Sequence, residues 1–390
     1  MPKPYDTIII GAGIAGCCSA YTLQQKGQKV LLLDRSGVAA SGGSGAAGAF
    51  VSPKIGKGSA LQTLTNEAFH FAKDFYLKHF PKYFHQTGVI RIPKDVEDAG
   101  KFSTYEAFND SKYRWVNQEE LKTFGIKNSE NSFMFEEAGV CDAPEMCAAI
   151  LEQVEFQQMD VGNLEWDGKY WRVLGKQGVL RQAQEPVAEP VEAKNIVLAT
   201  GYQNELFDMR YMGVKGTWGS RGDYESTLKL EVSMHKSISV SANVNGIIKI
   251  GATHVKSKEP CMVCDGEPLK ELFESASQMV DTSDFVLKET FCGMRSGSKD
   301  YFPLVGSVID VPFMFENYPA ITRGAKPTLK MMDNLYVCNG LGGRGFVFAP
   351  LMAKMLAEHI VEGKEIDSRV NPDRLFLKWC RKSEELADLR

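Results

Sequence analysis

The sequence predicts an α/β fold, α+β overall, in which a parallel sheet is interleaved with an antiparallel sheet. Apolar, strand-like runs occur at the start, middle and end of the chain, at 5–10, 195–201 and 335–339. A glycine turn and a helical stretch follow the first run, as is typical of parallel sheets. Residues 228–255 alternate in short segments that favour antiparallel strands.

Length and composition agree with this class. The chain has 390 residues, of which 44% are apolar, and this is enough for a sizeable core and an expected two domains. The net charge of −4 gives no overall basic signal for nucleic acid, although a local basic patch stays open. No apolar run reaches the roughly 20 residues that span a bilayer.

The N-terminus enters its first strand without a signal-peptide pattern, and the nine cysteines form no regular framework. We therefore expect a cytoplasmic protein with reduced thiols and no membrane partner. The lone Cys261-x-x-Cys264 has no matching second pair, so we predict no metal site. The stretch 182–193 repeats Glu-Pro-Val and predicts an exposed loop insertion without chemistry.

Residues 5–34 predict a βαβ unit that binds a dinucleotide. Gly11 allows the tight turn after the first strand, Gly13 lets the backbone approach a pyrophosphate, and Gly16 lets helix and strand pack closely. The helix N-terminus then faces the phosphates. Asp34 ends the second strand, where a carboxylate can accept hydrogen bonds from ribose hydroxyls. The structural alternative is a glycine-rich turn with a surface aspartate.

Three further features favour FAD over NAD. The loop from Ser41 to Ser44 is small and polar, as needed to wrap a long cofactor. The strand ending in Ala-Thr-Gly at 199–201 closes on the pyrophosphate side. The late loop at 340–345, GLGGRG, opens the last long helix, whose N-terminus can stabilise negative charge on a reduced flavin. A simple strand-to-helix turn is the alternative for this late loop.

The strands of the predicted nucleotide-binding sheet are spread along the chain, so we expect two interleaved domains. A Rossmann-like FAD-binding domain is predicted for residues 1–87, 138–215 and 325–390. An antiparallel, substrate-binding domain is predicted for residues 88–137 and 216–324.

Seven segments that span nearly the whole chain carry a family resemblance: ASGGSGAAGAF (40–50), NEAFHFAKDFY (66–76), GVCDAPEM (139–146), KIGATHVKS (249–257), CGMRSGSKDYFPLVG (292–306), LGGRGFVFAPLMAKMLAEHI (341–360) and NPDRLFLKW (371–379). In this order they resemble the D-amino-acid-oxidase-like (DAO) superfamily of FAD enzymes, of the glycine oxidase type. The narrower resemblance is to the FAD-dependent oxidase half of the bifunctional tRNA 5-methylaminomethyl-2-thiouridine biosynthesis proteins.

Some features depart from that narrower family. Its members typically begin with a methyltransferase domain, whereas the flavin motif here starts at residue 8. We therefore expect this chain to lack the methylation step, with a separate methyltransferase as a partner. Gly16 is closer to the general superfamily pattern, and the Glu-Pro-Val repeats are not expected of the family.

Together, motifs and resemblance predict FAD as the cofactor. The predicted FAD-binding positions are Gly11, Gly13, Ile14, Ala15, Gly16, Asp34, Arg35, Ala40, Ser41, Gly48, Ala49, Val154, Ala199, Thr200, Gly201, Leu341, Gly342, Gly343, Arg344, Gly345, Phe346 and Val347. For Arg344, a reach to the flavin or to tRNA and a solvent-facing side chain both stay open.

The resemblance implies oxidation of the carboxymethylaminomethyl group on the wobble uridine of certain tRNAs, which leaves an aminomethyl group and releases glyoxylate. Arg295 is the predicted catalytic-site arginine, because a guanidinium pairs bidentately with a carboxylate. An ion pair between Arg295 and Asp300 is the structural alternative. His254 is a second candidate, as a pocket residue or a proton acceptor, and a packed sheet histidine is its alternative.

The size of the substrate stays open at this point. Four cations at 374, 378, 381 and 382 have offsets of 0, 4, 7 and 8, so a helix would place them on one face that can contact phosphates. A solvated helix face is the alternative. Besides a tRNA-modifying enzyme, the sequence allows an oxidase or dehydrogenase of free glycine, sarcosine or D-amino acids, and a flavin-fold binding protein without turnover.

Overall fold

The computed structural model describes residues 3–176, 189–203, 205–255 and 266–389. The Cys261-x-x-Cys264 pair and most of the Glu-Pro-Val segment lie outside these residues, so what the sequence predicts for them stays a prediction.

The strands of the described residues, numbered along the chain, are β1 (Tyr5–Ile10), β2 (Val30–Asp34), β3 (Phe50–Val51), β4 (Phe84–His85), β5 (Val89–Arg91), β6 (Arg114–Val116), β7 (Ser132–Phe135), β8 (Gly139–Cys141), β9 (Glu155–Gln158), β10 (Val161–Trp166), β11 (Trp171–Gly175), β12 (Val191–Leu198), β13 (Lys215–Glu225), β14 (Ser233–His235), β15 (Ser239–Val240), β16 (Ile247–Gly251), β17 (Val286–Gly297), β18 (Leu304–Ile309) and β19 (Met331–Asn339). The α-helices are α1 (Ile14–Gln25), α2 (Ala60–His79), α3 (Val96–Glu106), α4 (Gln118–Thr123), α5 (Ala143–Leu151), α6 (Glu267–Ser277), α7 (Val311–Asn317), α8 (Gly345–Glu362) and α9 (Asp373–Lys382).

The first sheet has a parallel core in the order β9-β2-β1-β12-β19. The antiparallel strands β10 and β11 extend it beside β12, and β18 pairs antiparallel with β19. Successive residues of β1 and β2, such as Ile8, Ile9 and Leu32, are fully buried, as expected where helices or other layers cover both faces. The predicted α/β class with a Rossmann-like unit is confirmed.

The helices α1 and α8 begin at the same edge of this sheet. Each follows directly on a parallel strand, α1 after β1 and α8 after β19, and the two helices pack against each other, with α2 packed on α8. Because parallel strands place their carboxyl ends at one edge, the two glycine-rich turns lie at that edge together. The fold therefore brings residues 11–16 and 340–345 to one place.

The second sheet is mostly antiparallel, in the order β17-β13-β16-β15-β14-β5-β7-β6, with only the β14–β5 pair parallel among these strands. A small third sheet, β3-β8-β4, lies apart from the other two in hydrogen bonding. The interleaving that the sequence predicts is visible in the chain path, because β5 to β7 and β13 to β17 belong to the second sheet, whereas β1, β2, β9 to β12, β18 and β19 belong to the first.

The predicted domain limits stay a proposal, and one strand bears on them. β18 falls inside the range 216–324 that the sequence assigns to the substrate domain, yet it pairs with β19 of the first sheet through Leu304–Asn339 and Val305–Cys338. The short loop after β17 returns the chain to the first sheet, which sequence patterning does not reveal. Sheet membership would place that limit close to residue 298.

Asp142 joins elements of the second and third sheets. Its carboxylate accepts hydrogen bonds from Lys249 Nζ on β16 at 2.8 Å and lies 2.7 Å from His85 Nε2 on β4. Burial acts to raise the pKa of Asp142, but the hydrogen bond from His85 and the nearby Lys249 outweigh it and lower the pKa from 3.8 to about 2. Asp142 is therefore ionised throughout the neutral range.

We predict that Asp142→Asn destabilises the protein at neutral pH and that the difference vanishes in acid. A lowered folded-state pKa contributes stability above pH 3.8 that is lost as the pH falls through about 2. After allowance for solvent screening, this is about 1–2 kcal/mol of unfolding free energy. Urea unfolding at pH 7, 4 and 2.5 measures it. The exposed Asp74→Asn is the control, with a change below about 0.5 kcal/mol, and a difference for Asp142→Asn that is as large at pH 2.5 as at pH 7 would contradict the assignment.

Candidate active site

A cavity of about 1020 Å³ is lined by residues from the carboxyl edge of the first sheet and by residues of the second sheet. Of the predicted FAD-binding residues, it is lined by Gly11, Gly13, Ile14, Ala15, Asp34, Arg35, Ser41, Gly48, Ala49, Ala199, Thr200, Gly201, Leu341, Gly342, Gly343, Arg344, Gly345 and Phe346. Both predicted catalytic residues, Arg295 and His254, line the same cavity.

Four predicted cofactor residues lie outside the lining. Gly16 and Val347 are buried within α1 and α8, and the backbone N–H of Ala40 donates to Ala12 O at 2.9 Å, which braces the first turn from behind. Val154 lies in the turn after α5, partly buried against the core. The first three support the site through packing, whereas nothing in the structure brings Val154 to the cavity.

The turn between β1 and α1 has no room for side chains. A Cβ built on Gly11 would lie 2.4 Å from Ala199 O, and Gly11 has φ +111°, a conformation that favours glycine. A Cβ on Gly16 would lie 1.8 Å from Gly11 O. Turn, helix and β12 are therefore in backbone contact, as the predicted roles of Gly11 and Gly16 require.

Polar side chains at this turn satisfy backbone donors. Asp34 Oδ2 accepts from the Ala12 N–H at 2.8 Å, and its Oδ1 accepts from the Ser36 N–H at 2.8 Å. Ser44 Oγ accepts from the Ile14 N–H at 3.0 Å, so the glycine loop caps the start of α1. Asp34 still lines the cavity and keeps acceptor capacity for a further donor.

The shape and chemistry of the cavity fit FAD. Its lining includes Asp34 at one strand end and the late loop at Gly342–Gly345, and every residue between 41 and 49 that lines it is glycine, alanine or serine. A long cofactor with a pyrophosphate needs such a side-chain-free backbone path ending in helix N-termini. The residues at 11–16, 34, 41–49 and 199–201, and the backbone of the late loop at 341–346, would hold it.

The loop at 40–49 packs directly on β17. A Cβ on Gly43 would lie 2.4 Å from Met294 O, and a Cβ on Gly293 would lie 2.9 Å from Gly42 O. Loop and strand thus touch backbone to backbone at the residue before Arg295. The glycines place the predicted substrate arginine beside the predicted cofactor loop.

A buried arginine of β13 fastens the same loop, and sequence reasoning missed it. Arg221, 1% exposed, donates from Nη1 to the carbonyls of Ala47 and Gly45. Its Nε and Nη2 donate to the two carboxylate oxygens of Asp223 at 2.7 and 3.1 Å, and its guanidinium lies 4.1 Å from the centre of the Phe291 ring. Charged residues alternating with glycine, GSRGD, on an otherwise buried strand were the available signal.

Arg295 has no acidic partner among the described residues. Its Nη1 is buried and lacks a hydrogen-bond partner there, and burial lowers the pKa of its guanidinium. A Cβ on Gly219 would lie 2.2 Å from Arg295 Nη2, so that glycine leaves the space which the guanidinium occupies. Asp300, the alternative ion-pair partner, instead bonds to Arg374 at 2.9 and 3.0 Å.

His254 lies close to Arg295 on the segment after β16. Burial, followed by the positive charge of Arg295, lowers the pKa of His254, so its imidazole is neutral at pH 7. A neutral imidazole that lines the cavity can accept a proton.

Asn339 links three parts of the site at the end of β19. Its Oδ1 accepts from Ser296 Oγ at 2.8 Å and from the Gly340 N–H at 2.8 Å, and its Nδ2 donates to Gly201 O at 2.6 Å. One side chain therefore connects β17, the loop after β12 and the late glycine loop. The sequence shows only an asparagine at a strand end, and its partners follow from the fold.

The predicted basic helix exists as α9, but its first cation is not available. Arg374 donates to Asp300 and to Phe302 O, which fixes the loop after β17. Arg381 Nη2 lies 3.5 Å from Gly324 O, and Lys378 and Lys382 are exposed. The four cations therefore do not form one free stripe, because Arg374 has an internal structural role.

Arg344 is half-buried, with Nη1 donating to Ser52 O at 3.1 Å, so the solvent-facing alternative does not hold.

Six cysteines are free and buried, whereas Cys292 is disulfide-bonded, which corrects the expectation of reduced thiols throughout. Within the described part of the chain, no group of three His, Cys, Asp or Glu side chains could hold a metal ion. Nor does any helix of that part have the length and apolarity to cross a membrane.

The fold and the cavity define an FAD-dependent oxidoreductase. The DAO family of FAD dependent oxidoreductases matches residues 6–359, and the chain belongs to this family. Its cofactor is FAD, as predicted, and it is an oxidase or dehydrogenase.

Its curated relatives are larger proteins. The tRNA 5-methylaminomethyl-2-thiouridine biosynthesis bifunctional protein MnmC of Stutzerimonas stutzeri (strain A1501) is 25% identical over 400 residues, covering 95% of this chain and 59% of that protein. MnmC of Methylobacillus flagellatus (strain ATCC 51484 / DSM 6875 / VKM B-1610 / KT) is 25% identical over 389 residues, with the same two shares. The chain thus spans about three fifths of the length of these relatives. The resemblance predicted from the seven segments is confirmed.

Solved structures share the fold. Glycine oxidase from Bacillus cereus ATCC 14579 has a TM-score of 0.76 at 17% identity, covering 93% of this chain and 96% of that one. Iminodiacetate oxidase from Chelativorans sp. BNC1 has a TM-score of 0.72 at 18% identity, covering 95% and 98%. These similarities establish a DAO-type, glycine-oxidase-like architecture for the chain.

Proposed function

We propose that this chain oxidises the CH–NH bond of an N-carboxymethyl amine, EC class 1.5, and that the amine is the carboxymethylaminomethyl group of a wobble uridine in tRNA. The products are an aminomethyl uridine and glyoxylate. The observation that carries the proposal is Arg295, a buried guanidinium in the cavity whose Nη1 has no partner among the described residues. A carboxylate of the substrate supplies that partner.

The reaction requires few protein groups. When bound, FAD would supply the two-electron oxidation of the CH₂ between nitrogen and carboxylate. Arg295 holds the carboxylate and so fixes the position of this carbon. His254, neutral at pH 7, accepts the proton from the substrate ammonium, because a protonated amine cannot release a hydride. Water then adds to the C=N bond, and the C–N bond breaks to give glyoxylate and the primary amine.

Two further features support a nucleotide substrate. The relatives that match across 95% of this chain carry a tRNA modification in their names. In addition, Tyr301 is 77% exposed and lines the cavity, in the loop that Arg374 fixes. An exposed aromatic ring at a cavity rim can stack on a base that has left its helical stack. We also propose that a separate methyltransferase acts on the aminomethyl product. The cytoplasmic location of this chain stays a prediction.

The test is a substrate comparison with the purified holoenzyme. One reaction contains an anticodon stem-loop RNA with 5-carboxymethylaminomethyluridine, and the others contain glycine, sarcosine or D-alanine. Mass spectrometry of nucleosides and a chemical assay of glyoxylate follow the products. Conversion to aminomethyluridine with glyoxylate release supports the proposal. Turnover of a free amino acid with unchanged RNA would replace it with the amino-acid alternative.

We predict that Tyr301→Ala raises KM for the stem-loop RNA about 5- to 100-fold, since stacking of one base on an aromatic ring contributes ~1–3 kcal/mol. Tyr301→Phe keeps the ring and should retain KM within about twofold, because the expected contact is with the face of the ring. Steady-state kinetics with the RNA measure both values. Equal KM values for the alanine and phenylalanine variants would show that the ring does not contact the substrate.

A further inference from the structure

Three more cationic side chains line the cavity, from the second sheet and from the loops around it. Lys54 follows β3, Arg91 ends β5 and Arg344 precedes α8. Within the described residues, none of the three forms an ion pair with a carboxylate. Within the same described residues, the three side chains make one hydrogen bond, which Arg344 donates to Ser52 O. This group, Lys54, Arg91 and Arg344, is called the cationic triad below.

The members of the cationic triad are close enough to repel one another. Burial and the charge of Arg344 lower the pKa of Arg91 to about 9. Asp98, which forms no ion pair with Arg91, acts to raise that pKa but does not outweigh them. The pKa of Lys54 is lowered by burial, then by Arg344 and Arg91. Three like charges with little solvent between them are unfavourable unless an anion joins them.

The acids that line the cavity belong to other elements. Asp34 ends β2, and Asp160 and Glu205 lie on loops of the first sheet, where Lys176 is 3.8 and 3.5 Å from them. No described residue that lines the cavity between β5, β17 and the late loop is acidic. That end of the cavity is therefore cationic throughout.

A neutral histidine, His235, lines the cavity beside the cationic triad. His235 is opposite Arg91 in the β14–β5 register. Burial, followed by Arg91, Arg344, Lys94 and His254, lowers the pKa of His235 to about 2. It therefore adds no charge at neutral pH to the cavity that Arg295 and the cationic triad also line.

We propose that the cationic triad is a subsite for a phosphate group of the substrate nucleotide, separate from the carboxylate site at Arg295. The inference rests on the proposed function and makes it more specific. A nucleotide within RNA has a phosphate on each side, in addition to the carboxylate of its modified base. Two arginines and a lysine suit a phosphate, since guanidinium groups pair with its oxygens bidentately. Glycine or sarcosine has one carboxylate and would leave the triad without a partner.

The experiment uses holoenzyme and two small substrates that differ only in phosphate. These are 5-carboxymethylaminomethyluridine and its 3′,5′-bisphosphate. The readout is the kcat/KM of the bisphosphate divided by the kcat/KM of the nucleoside. We expect the wild-type ratio to exceed 1 by about 10- to 100-fold, as charge-assisted hydrogen bonds allow. Arg91→Met should reduce the ratio to near 1, and Arg91→Lys should retain part of it. Arg114→Met, an exposed arginine of the same sheet, is the matched control and keeps the wild-type ratio.

A second measurement separates the subsite from the reaction. Calorimetric titration with uridine 3′,5′-bisphosphate should show binding to wild type and a loss of at least tenfold in Arg91→Met, with FAD content unchanged. If this binding is present but neither nucleoside is oxidised, the subsite stands and the proposed function fails. If wild type and Arg91→Met both oxidise the two substrates and show the same ratio of kcat/KM values, the function stands and the subsite is overturned. The subsite would also be overturned if inorganic phosphate alone bound with the same affinity as uridine 3′,5′-bisphosphate, or if the variant lost its FAD.

Discussion

Arg295→Met is expected to lower kcat/KM for the carboxymethylamine substrate by about 100- to 1000-fold, mainly through KM. A bidentate pair between a guanidinium and a carboxylate consists of two charge-assisted hydrogen bonds, and each contributes ~1.5–3 kcal/mol. The folded enzyme should tolerate the change, because Arg295 makes no ion pair with the described residues and its buried Nη1 is already without a partner. Arg295→Lys should recover part of the loss, since a lysine keeps the charge but not the planar fork.

Three controls separate recognition of the carboxylate from general damage. A substrate whose carboxylate is replaced by an amide should be oxidised by wild type and Arg295→Met at similar rates. Gly219→Ala gives a related test, because a Cβ there would lie 2.2 Å from Arg295 Nη2 and displace the guanidinium without changing its charge, while also pressing on Thr253 O at 2.8 Å. Arg172→Met, at an exposed position of β11, should retain wild-type kinetics. A loss in Arg295→Met that is equally large for the amide substrate would show that Arg295 does not bind the carboxylate.

The parts of the site that follow local patterns could be predicted from sequence. The turn from Gly11 to Gly16 was predictable because its spacing has one structural solution, a strand, a tight turn and a helix in backbone contact. The late loop before α8 was predictable for the same reason. Arg295 stood out because it lies in a segment that carries the family resemblance and because a guanidinium pairs bidentately with a carboxylate.

The connections between these parts could not be predicted, because they join residues far apart in the chain. Arg221 binds carbonyls of the glycine loop 174 positions away, and Arg374 binds Asp300 at a separation of 74. The spacing of cations on α9 correctly predicted a helix but not which cation is used internally. No periodicity in the sequence encodes such pairs, since only the packed sheets determine which strands become neighbours.

The cationic triad shows the same limit. Lys54, Arg91 and Arg344 lie on three elements of different sheets and loops. In the sequence, Lys54 and Arg91 look like ordinary surface cations, and only Arg344 is predicted to belong to the site. The DAO fold brings them to the cavity that also contains Arg295.

Arg221→Met is expected to have the largest effect on stability, with a loss of about 3–5 kcal/mol in unfolding free energy. The change leaves the Asp223 carboxylate buried without its partner and removes the donors for the carbonyls of Ala47 and Gly45. Because that loop also caps α1 through Ser44, we expect FAD to dissociate more readily. Urea unfolding of the apoprotein measures the first effect, and fluorescence of released flavin measures the second.

The double variant Arg221→Met/Asp223→Leu distinguishes the buried charge from the loop contacts. Removing both charges should recover much of the stability, since a buried pair replaced by apolar residues is often close to neutral. It should not recover FAD affinity, because the carbonyls of Ala47 and Gly45 still lack their donor. Arg114→Met breaks exposed ion pairs in the same sheet and should cost at most about 1 kcal/mol. If the double variant binds FAD as wild type does, the contact between Arg221 and the glycine loop does not hold the cofactor site, and packing of Gly43 on β17 would be sufficient.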